Sequence, residues 1–319
     1  MARVIAGLAS SHAYTFLRPE DWDQRRQVTR GRFAARYGHE AKEPPQLAGE
    51  TLEANQKRFA AIEGGLNQLR SQLEALKPDA LIVIGDDQDE NYQEENLPQF
   101  AIYLGDEFVL GGRAGTFGPR RKNDTALAAA LHEGCVEAGF DLASSKRFPD
   151  DALISHAHVE VLRFLDPDGK VPVVPIFVNA IHVPGPTPRR CYQFGQALRQ
   201  VLEAQPDNKR VALYASGGLS HYTAGFPWPH YSGEATIGSI DVDFDQRAVA
   251  HMRSGNGAEL AKLTSGELLD SGNIEMRQWI VLMGALGSQQ PTNLAYEPFF
   301  RGVMGMATGY WEMPAAAAK

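Results

Sequence analysis

Four short apolar runs constrain the fold of this chain most. Arg3 to Leu8 (RVIAGL), Ala80 to Ile84 (ALIVI), Val171 to Val178 (VPVVPIFV) and Val211 to Ala215 (VALYA) are continuous apolar stretches of strand length. Such runs read as strands buried on both faces. Segments of helical period separate them. Leu47 to Leu76 places Leu66, Leu69, Leu73 and Leu76 three and four residues apart, and Pro78 stops it. Pro19 to Tyr37 is charged and helical in period. Asn123 to Ala138 has Asn123 or Asp124 as its cap, and Pro188 suits the first turn of a helix running to Ala204. Further helices are expected at Asp241 to Arg253, Gly257 to Leu263 and Ile274 to Leu286. Phe100 to Leu104 reads as another strand and LGGRAGTFG as a loop, and the two prolines of VPVVPIFV place that strand at an edge or irregular position. The alternation predicts an α/β fold: a single domain over residues 1–319 with a largely parallel central sheet flanked by helices.

Composition excludes several classes of partner. A net charge of −8 with scattered Lys and Arg argues against nucleic acid and against an anionic membrane surface. No apolar run approaches the ~20 residues that span a bilayer. The N-terminus lacks the apolar core of a signal peptide, and PAAAAK at the other end reads as a frayed tail. The two cysteines, Cys135 and Cys191, form no CxxC pair, which fits a reducing, cytoplasmic setting. A symmetric homo-oligomer is the expected default.

In folds of this kind, ligands sit beyond the carboxyl ends of the strands. Ser11 and His12 follow the first run, and Asp86, Asp87 and Gln88 the second. Asn179 and His182 follow the third, and Ser220 and His221 the fourth. Each histidine alone reads as structural, but four metal-competent strand ends together predict one site. Gly217-Gly218 allows positive φ and close backbone approach, which lets His221 project into a cleft. Glu275 lies in SGNIEMRQW, where Asn273 is a plausible cap and the helix dipole favours a carboxylate.

Four pieces resemble one family in its own order: SSH at Ser10 to His12, VPVVPIFVN…PRRC at Val171 to Cys191, SGGLSH at Ser216 to His221, and SGNIEMRQW at Ser271 to Trp279. The family is that of the catalytic subunits of class III, LigB-type, extradiol ring-cleavage dioxygenases, in the group acting on 3-O-methylgallate, gallate and protocatechuate. The resemblance implies an Fe(II) cofactor held by two histidines and a carboxylate, with open positions for a catechol and O2. It implies His12 and Glu275 as iron ligands and His221 as the acid/base residue. It implies His156, in SHAHVEVL, as a hydrogen-bonding partner of the substrate, with His158 as the alternative. His182 is placed near the substrate without an assigned step. Against the two-subunit protocatechuate enzyme, the segment at about residues 17–76 is a helical insertion that could cap the cleft.

One stretch departs from the pattern. Close relatives of the protocatechuate enzyme carry Asn-Asp-His where this chain has Asp86-Asp87-Gln88. Gln88 is then the expected third ligand through its amide oxygen. Asp86, Asp87, water or His39 are alternatives. An amide donor predicts weaker hold on Fe(II) than imidazole. The loss of that histidine also leaves two other functions open, a metal-free binding subunit and a metal-dependent hydrolase.

Overall fold

The computed structural model describes residues 1–13, 17–111, 117–148, 153–221 and 240–314, without the side chains of 36 and 117. In chain order the elements are β1 (Arg3–Ser10), α1 (Trp22–Tyr37), α2 (Leu52–Leu76), β2 (Ala80–Gly85), β3 (Phe100–Tyr103), β4 (Glu107–Gly111) and β5 (Phe117–Lys122). Then come α3 (Thr125–Glu137), β6 (Ala143–Ser145), α4 (His156–Leu165), β7 (Val173–Val178), α5 (Pro188–Ala204) and β8 (Arg210–Ser216). The last are α6 (Val242–Arg253), α7 (Ser265–Asp270), α8 (Met276–Leu286), β9 (Asn293–Phe299) and β10 (Met304–Glu312).

Eight strands form one sheet in the order β6-β3-β7-β2-β8-β1-β10-β9. The four central strands β7, β2, β8 and β1 are mutually parallel. Antiparallel pairing enters at the margins, where β3 meets β7 and β10 meets β1. β4 and β5 pair separately as a small ribbon.

The four apolar runs are continuous because helices cover both faces of the parallel centre. Alternate residues of β2 serve opposite layers. Ala80, Ile82 and Ile84 pack with Leu131 of α3, Phe194 and Leu198 of α5, and Trp279 and Ile280 of α8. Leu81 and Val83 pack with Phe59, Ile62, Leu66 and Leu69 of α2 and Val159 and Leu162 of α4. The helix expected from Leu47 begins at Leu52, where the Thr51 side chain accepts the Ala54 N–H, and its leucine stripe is buried as the spacing implies.

One local expectation differs, one falls partly outside the described residues, and one element has no sequence counterpart. The proline-containing strand β7 lies inside the sheet, between β3 and β2, and not at an edge. Its pairing with β3 runs from Val178 to Ile176 and stops one residue before Pro175, so the position without an N–H lies where that ladder has ended. The Gly-rich stretch read as a loop is flanked by the paired strands β4 and β5; its residues 112–116 lie outside the described residues, as do 315–319 of the C-terminal tail. The β9–β10 hairpin was not anticipated. It closes one side of the sheet and pins the loop after β8, through hydrogen bonds from Leu219 N to Gly305 O and from Gly305 N to Ser220 O.

Candidate metal centre and active site

Three neighbouring parallel strands, β2, β8 and β1, end on the same side of the sheet, and the first residues beyond them converge. His12, Asp86 and Glu275 are all buried, and each offers a donor atom to a set lying within 4.8 Å. The cleft between Ser11, His12, Gly218, His221, Glu275 and Met304 encloses about 10 Å³, room for one ion or one water.

His12 is oriented from behind. Its Nδ1 lies 3.2 Å from Ser216 Oγ, whose hydroxyl in turn donates to Ala157 O at 2.5 Å. With the hydroxyl proton committed to that carbonyl, His12 donates from Nδ1 and keeps the Nε2 lone pair for a ligand role. Ser11 Oγ donates to Gly218 O and so ties the end of β1 to the glycine pair.

Glu275 is itself the N-cap residue of α8, the place expected for a cap at Asn273, and its side chain makes no capping hydrogen bond. Oε2 accepts the Gly218 N–H at 2.8 Å; Oε1 accepts from His221 Nε2 at 3.1 Å and from Gln88 Nε2 at 3.3 Å. Asn273 instead donates to Asp245 Oδ1 at 2.9 Å. The glycine pair is needed here. Gly217 and Gly218 have φ of +131° and +63°, and a Cβ on Gly217 would sit 2.6 Å from Glu275 Oε2. Burial would raise the Glu275 carboxyl, but the His221 charge and the hydrogen bonds from His221 and Gly218 hold it well below the usual range.

Asp86 is fully buried, and its Oδ1 has no hydrogen-bond partner among the described residues. Burial and the neighbouring Glu275 charge push its carboxyl well up. Two carboxylates held this close without a compensating charge are costly. The compensation present comes from the His221 charge on Glu275, the His156 charge near Asp86, and Gln88, whose Nε2 donates to Asp86 Oδ2 at 3.2 Å as well as to Glu275. The amide NH2 sits between the two carboxylates, where a cation would sit. Buried donors, an orphaned carboxylate oxygen and an amide in the cation's place together fit a divalent metal.

The remaining expected residues fall into two groups. His221 and His156 join the cluster. His221 Nδ1 donates to Leu219 O at 2.8 Å, so both of its nitrogens face acceptors. Burial would lower this imidazole, but the Glu275 charge and hydrogen bonds outweigh it and raise its pKa to about 9. His156 packs edge-on to His12, ring centroids 4.8 Å apart, with Nδ1 on Glu90 Oε1 at 2.8 Å. Its pKa also rises to about 9, burial being outweighed by Glu90 and then by Asp86 and Glu275.

His158, Asp87, His182 and His39 are not brought into the cluster. His158 is fully buried, bound by Ser155 Oγ at 2.8 Å and by Ile176 O at 3.0 Å, and burial lowers its pKa to about 4. It is a neutral support under the Asp86 turn. Asp87, pushed up to about 7 by burial, accepts the Asn91 and Tyr92 N–H groups and shapes the turn that carries Gln88 and Glu90. His182 sits across the turn with Nε2 on Asp89 Oδ1 at 2.8 Å. His39 is exposed against Phe33.

Two supporting residues were not read from the sequence. Glu90 orients His156 from 66 positions away. Asp245, fully buried on α6, accepts from Ser220 N and Oγ, Asn273 Nδ2 and Tyr296 Oη, and so joins the loop bearing His221 to the turn bearing Glu275. Neither carries a local sequence signal; only the sheet order brings their partners together.

Residues 43–308 match the family described as the catalytic LigB subunit of aromatic ring-opening dioxygenase. A gallate dioxygenase of Pseudomonas putida is 32% identical over 173 residues, 51% of this chain and 46% of that protein. A 2,3-dihydroxyphenylpropionate/2,3-dihydroxicinnamic acid 1,2-dioxygenase of Comamonas testosteroni is 28% identical over 213 residues, 63% of this chain and 62% of its own length. The matched region thus spans about half to three fifths of these curated relatives. The crystal structure of an uncharacterized protein from Escherichia coli K12 superposes with a TM-score of 0.51 at 12% identity, over 96% of this chain and 99% of that one, a likeness of fold. Among the described residues, no helix is long and apolar enough to cross a membrane. By the family match over residues 43–308, the chain belongs to the LigB family, the catalytic subunits of aromatic ring-opening dioxygenases.

Proposed function

We propose that this chain is an Fe(II)-dependent extradiol dioxygenase that opens the ring of a catechol beside its two hydroxyls, consuming O2. The observation that supports the reading most is the buried set His12, Asp86 and Glu275, with His221 hydrogen-bonded to its carboxylate. His12, Asp86 and Glu275 would hold the metal, and Gln88, with its amide turned so that Oε1 faces inward, would complete the set. When bound, Fe(II) lowers the pKa of the catechol hydroxyls and supplies the reducing power that O2 activation requires.

The chain's own residues then have defined tasks. A free phenol has a pKa near ~10, so one hydroxyl proton must be taken up. His221 is the acceptor: a cation beside Glu275 offsets the charge that raises its pKa, which returns the imidazole to the range of a base near neutrality. The proton it takes is available later for return to the product. His156, held on Glu90, keeps Nε2 for a hydrogen bond to a substrate oxygen. Both atoms of O2 end in the product, a muconic semialdehyde or its lactone. Relatives named for gallate and for 2,3-dihydroxyphenylpropionate support a small aromatic substrate of this class. Cys135 and Cys191 are both buried and unpaired, which suits a reducing, cytoplasmic setting.

A metal-free binding subunit has one observation in its favour, the Gln88 amide lying between the two carboxylates. Anaerobic reconstitution with Fe(II), followed by O2 uptake with gallate, 3-O-methylgallate, protocatechuate and 2,3-dihydroxyphenylpropionate, decides between them. Ring cleavage gives stoichiometric uptake and a new yellow product. No uptake together with no bound metal would replace the proposal by the binding-subunit reading.

A further inference from the structure

A second cavity lies apart from the cleft at the metal cluster and shares none of its lining residues. It encloses about 180 Å³ and is walled by Ala180, Val183, Pro184, Leu269 and Ile274, with Arg277 and His182 among its polar groups. A dry apolar cavity of roughly 150 Å³ suffices for a benzene ring.

Arg277 is the unusual member. It is 4% exposed, and its guanidinium is held by backbone carbonyls: Nε donates to Pro186 O at 2.9 Å, and Nη1 to Ile274 O at 2.9 Å and Ala180 O at 3.5 Å. No carboxylate pairs with it among the described residues, and Nη2 makes no hydrogen bond there. Burial lowers its pKa. His182, also at the cavity wall, is committed to Asp89. An arginine is retained in so apolar a place at a cost unless an anion meets it. Three carbonyls fix its plane, so its remaining N–H edge is pre-organised for a carboxylate.

We propose that the Arg277 cavity binds a small aromatic carboxylate, the ring lying against Val183, Pro184, Leu269 and Ile274 and the carboxylate on Nη2 of Arg277. The carboxylate could belong to the ring-cleavage substrate itself or to a second molecule. Benzoate carries no catechol, so its binding is read whether or not the metal cluster turns over.

Benzoate is the probe, titrated calorimetrically into the full chain, with benzamide as its neutral isostere. Saturable binding of one benzoate per chain is expected, with benzamide at least 10-fold weaker. Arg277→Met should weaken benzoate at least 10-fold. Because that variant leaves three carbonyls unpaired and can fail to fold, Leu269→Trp serves as the second: it fills the ring space, keeps the arginine, and should also abolish binding. The source follows from 3,4-dihydroxybenzoate titrated anaerobically into the Fe(II)-loaded chain. One molecule per chain, weakened by Arg277→Met, assigns the site to the substrate's own carboxylate. Two per chain, one of them lost in Leu269→Trp, assigns it to a second molecule. No benzoate binding, equal binding of benzamide, or binding unchanged in Leu269→Trp would overturn the proposal.

Discussion

His221 and Glu275 share a hydrogen bond of 3.1 Å between Nε2 and Oε1, and each holds the other in its charged form. The pair is therefore a sensor for positive charge at the metal cluster. A cation bound by Glu275 competes with the imidazolium for the same carboxylate oxygen, so metal binding should expel the His221 proton. The His221 pKa in the metal-free chain is raised to about 9 from the usual 6.5. Between those two values the chain must release a proton to bind, and apparent affinity should rise with pH across that window. Calorimetric titration of metal in two buffers of different ionisation enthalpy should show release of up to one proton per ion near pH 7.5; no release would dissociate His221 from the cluster. The stability sign follows from the same shift. A group raised on folding stabilises the metal-free chain fully below 6.5, and that contribution is lost as pH rises through about 9. The melting temperature of the metal-free chain should fall over that range, and less steeply in His221→Gln.

Gln88→His places an imidazole where an amide now lies between two carboxylates. Imidazole is the better donor for Fe(II), so the variant should hold iron about 10-fold or more tightly, read by competition with a chelator. Unchanged affinity would remove position 88 from the metal's surroundings.

Asp86→Asn should act in opposite directions with and without metal. In the metal-free chain it removes a buried carboxylate facing Glu275, and thermal stability should rise, by about 1–3 kcal/mol if the amide finds partners. With metal offered, the increase in melting temperature that the parent chain shows should disappear. A variant that loses stability and still binds metal would assign Asp86 to a purely structural role.

The parts of the fold that were legible from the sequence are those governed by short-range pattern. The apolar runs marked the parallel centre because both faces of β2 are covered, and the leucine spacing of α2 marked a buried stripe. Family motifs brought His12, His221 and Glu275 to one site. What remained hidden depends on pairing at long range. The β9–β10 hairpin pins the loop after β8, and its residues are mostly half-buried in β9, so alternation there is faint. Pro175 suggested an edge only because the point at which β3 stops pairing is invisible in a single sequence. Gln88 drew attention because it replaces a histidine, yet Asp86, two residues earlier, is the fully buried group with the orphaned oxygen.

Asp245 tests whether the site depends on a support that touches none of its donors. Its carboxylate collects the Ser220 N–H at 3.2 Å, the Ser220 hydroxyl at 2.6 Å, the Tyr296 hydroxyl at 2.6 Å and the Asn273 amide at 2.9 Å. Ser220 is the residue before His221, and Asn273 lies two before Glu275. Burial raises the Asp245 carboxyl to about 6 against these four stabilising bonds, so it is ionised at pH 8. Tyr296→Phe removes one donor and leaves three, and should cost about 1 kcal/mol with little change at the cluster. Asp245→Ala strands every donor at once and should cost about 3 kcal/mol or more. Because it frees both turns, it should also weaken metal binding at least 10-fold, measured at a temperature where the variant is still folded. Equal metal affinity in a folded Asp245→Ala would mean that β10 and the glycine pair alone fix the relation of His221 to Glu275.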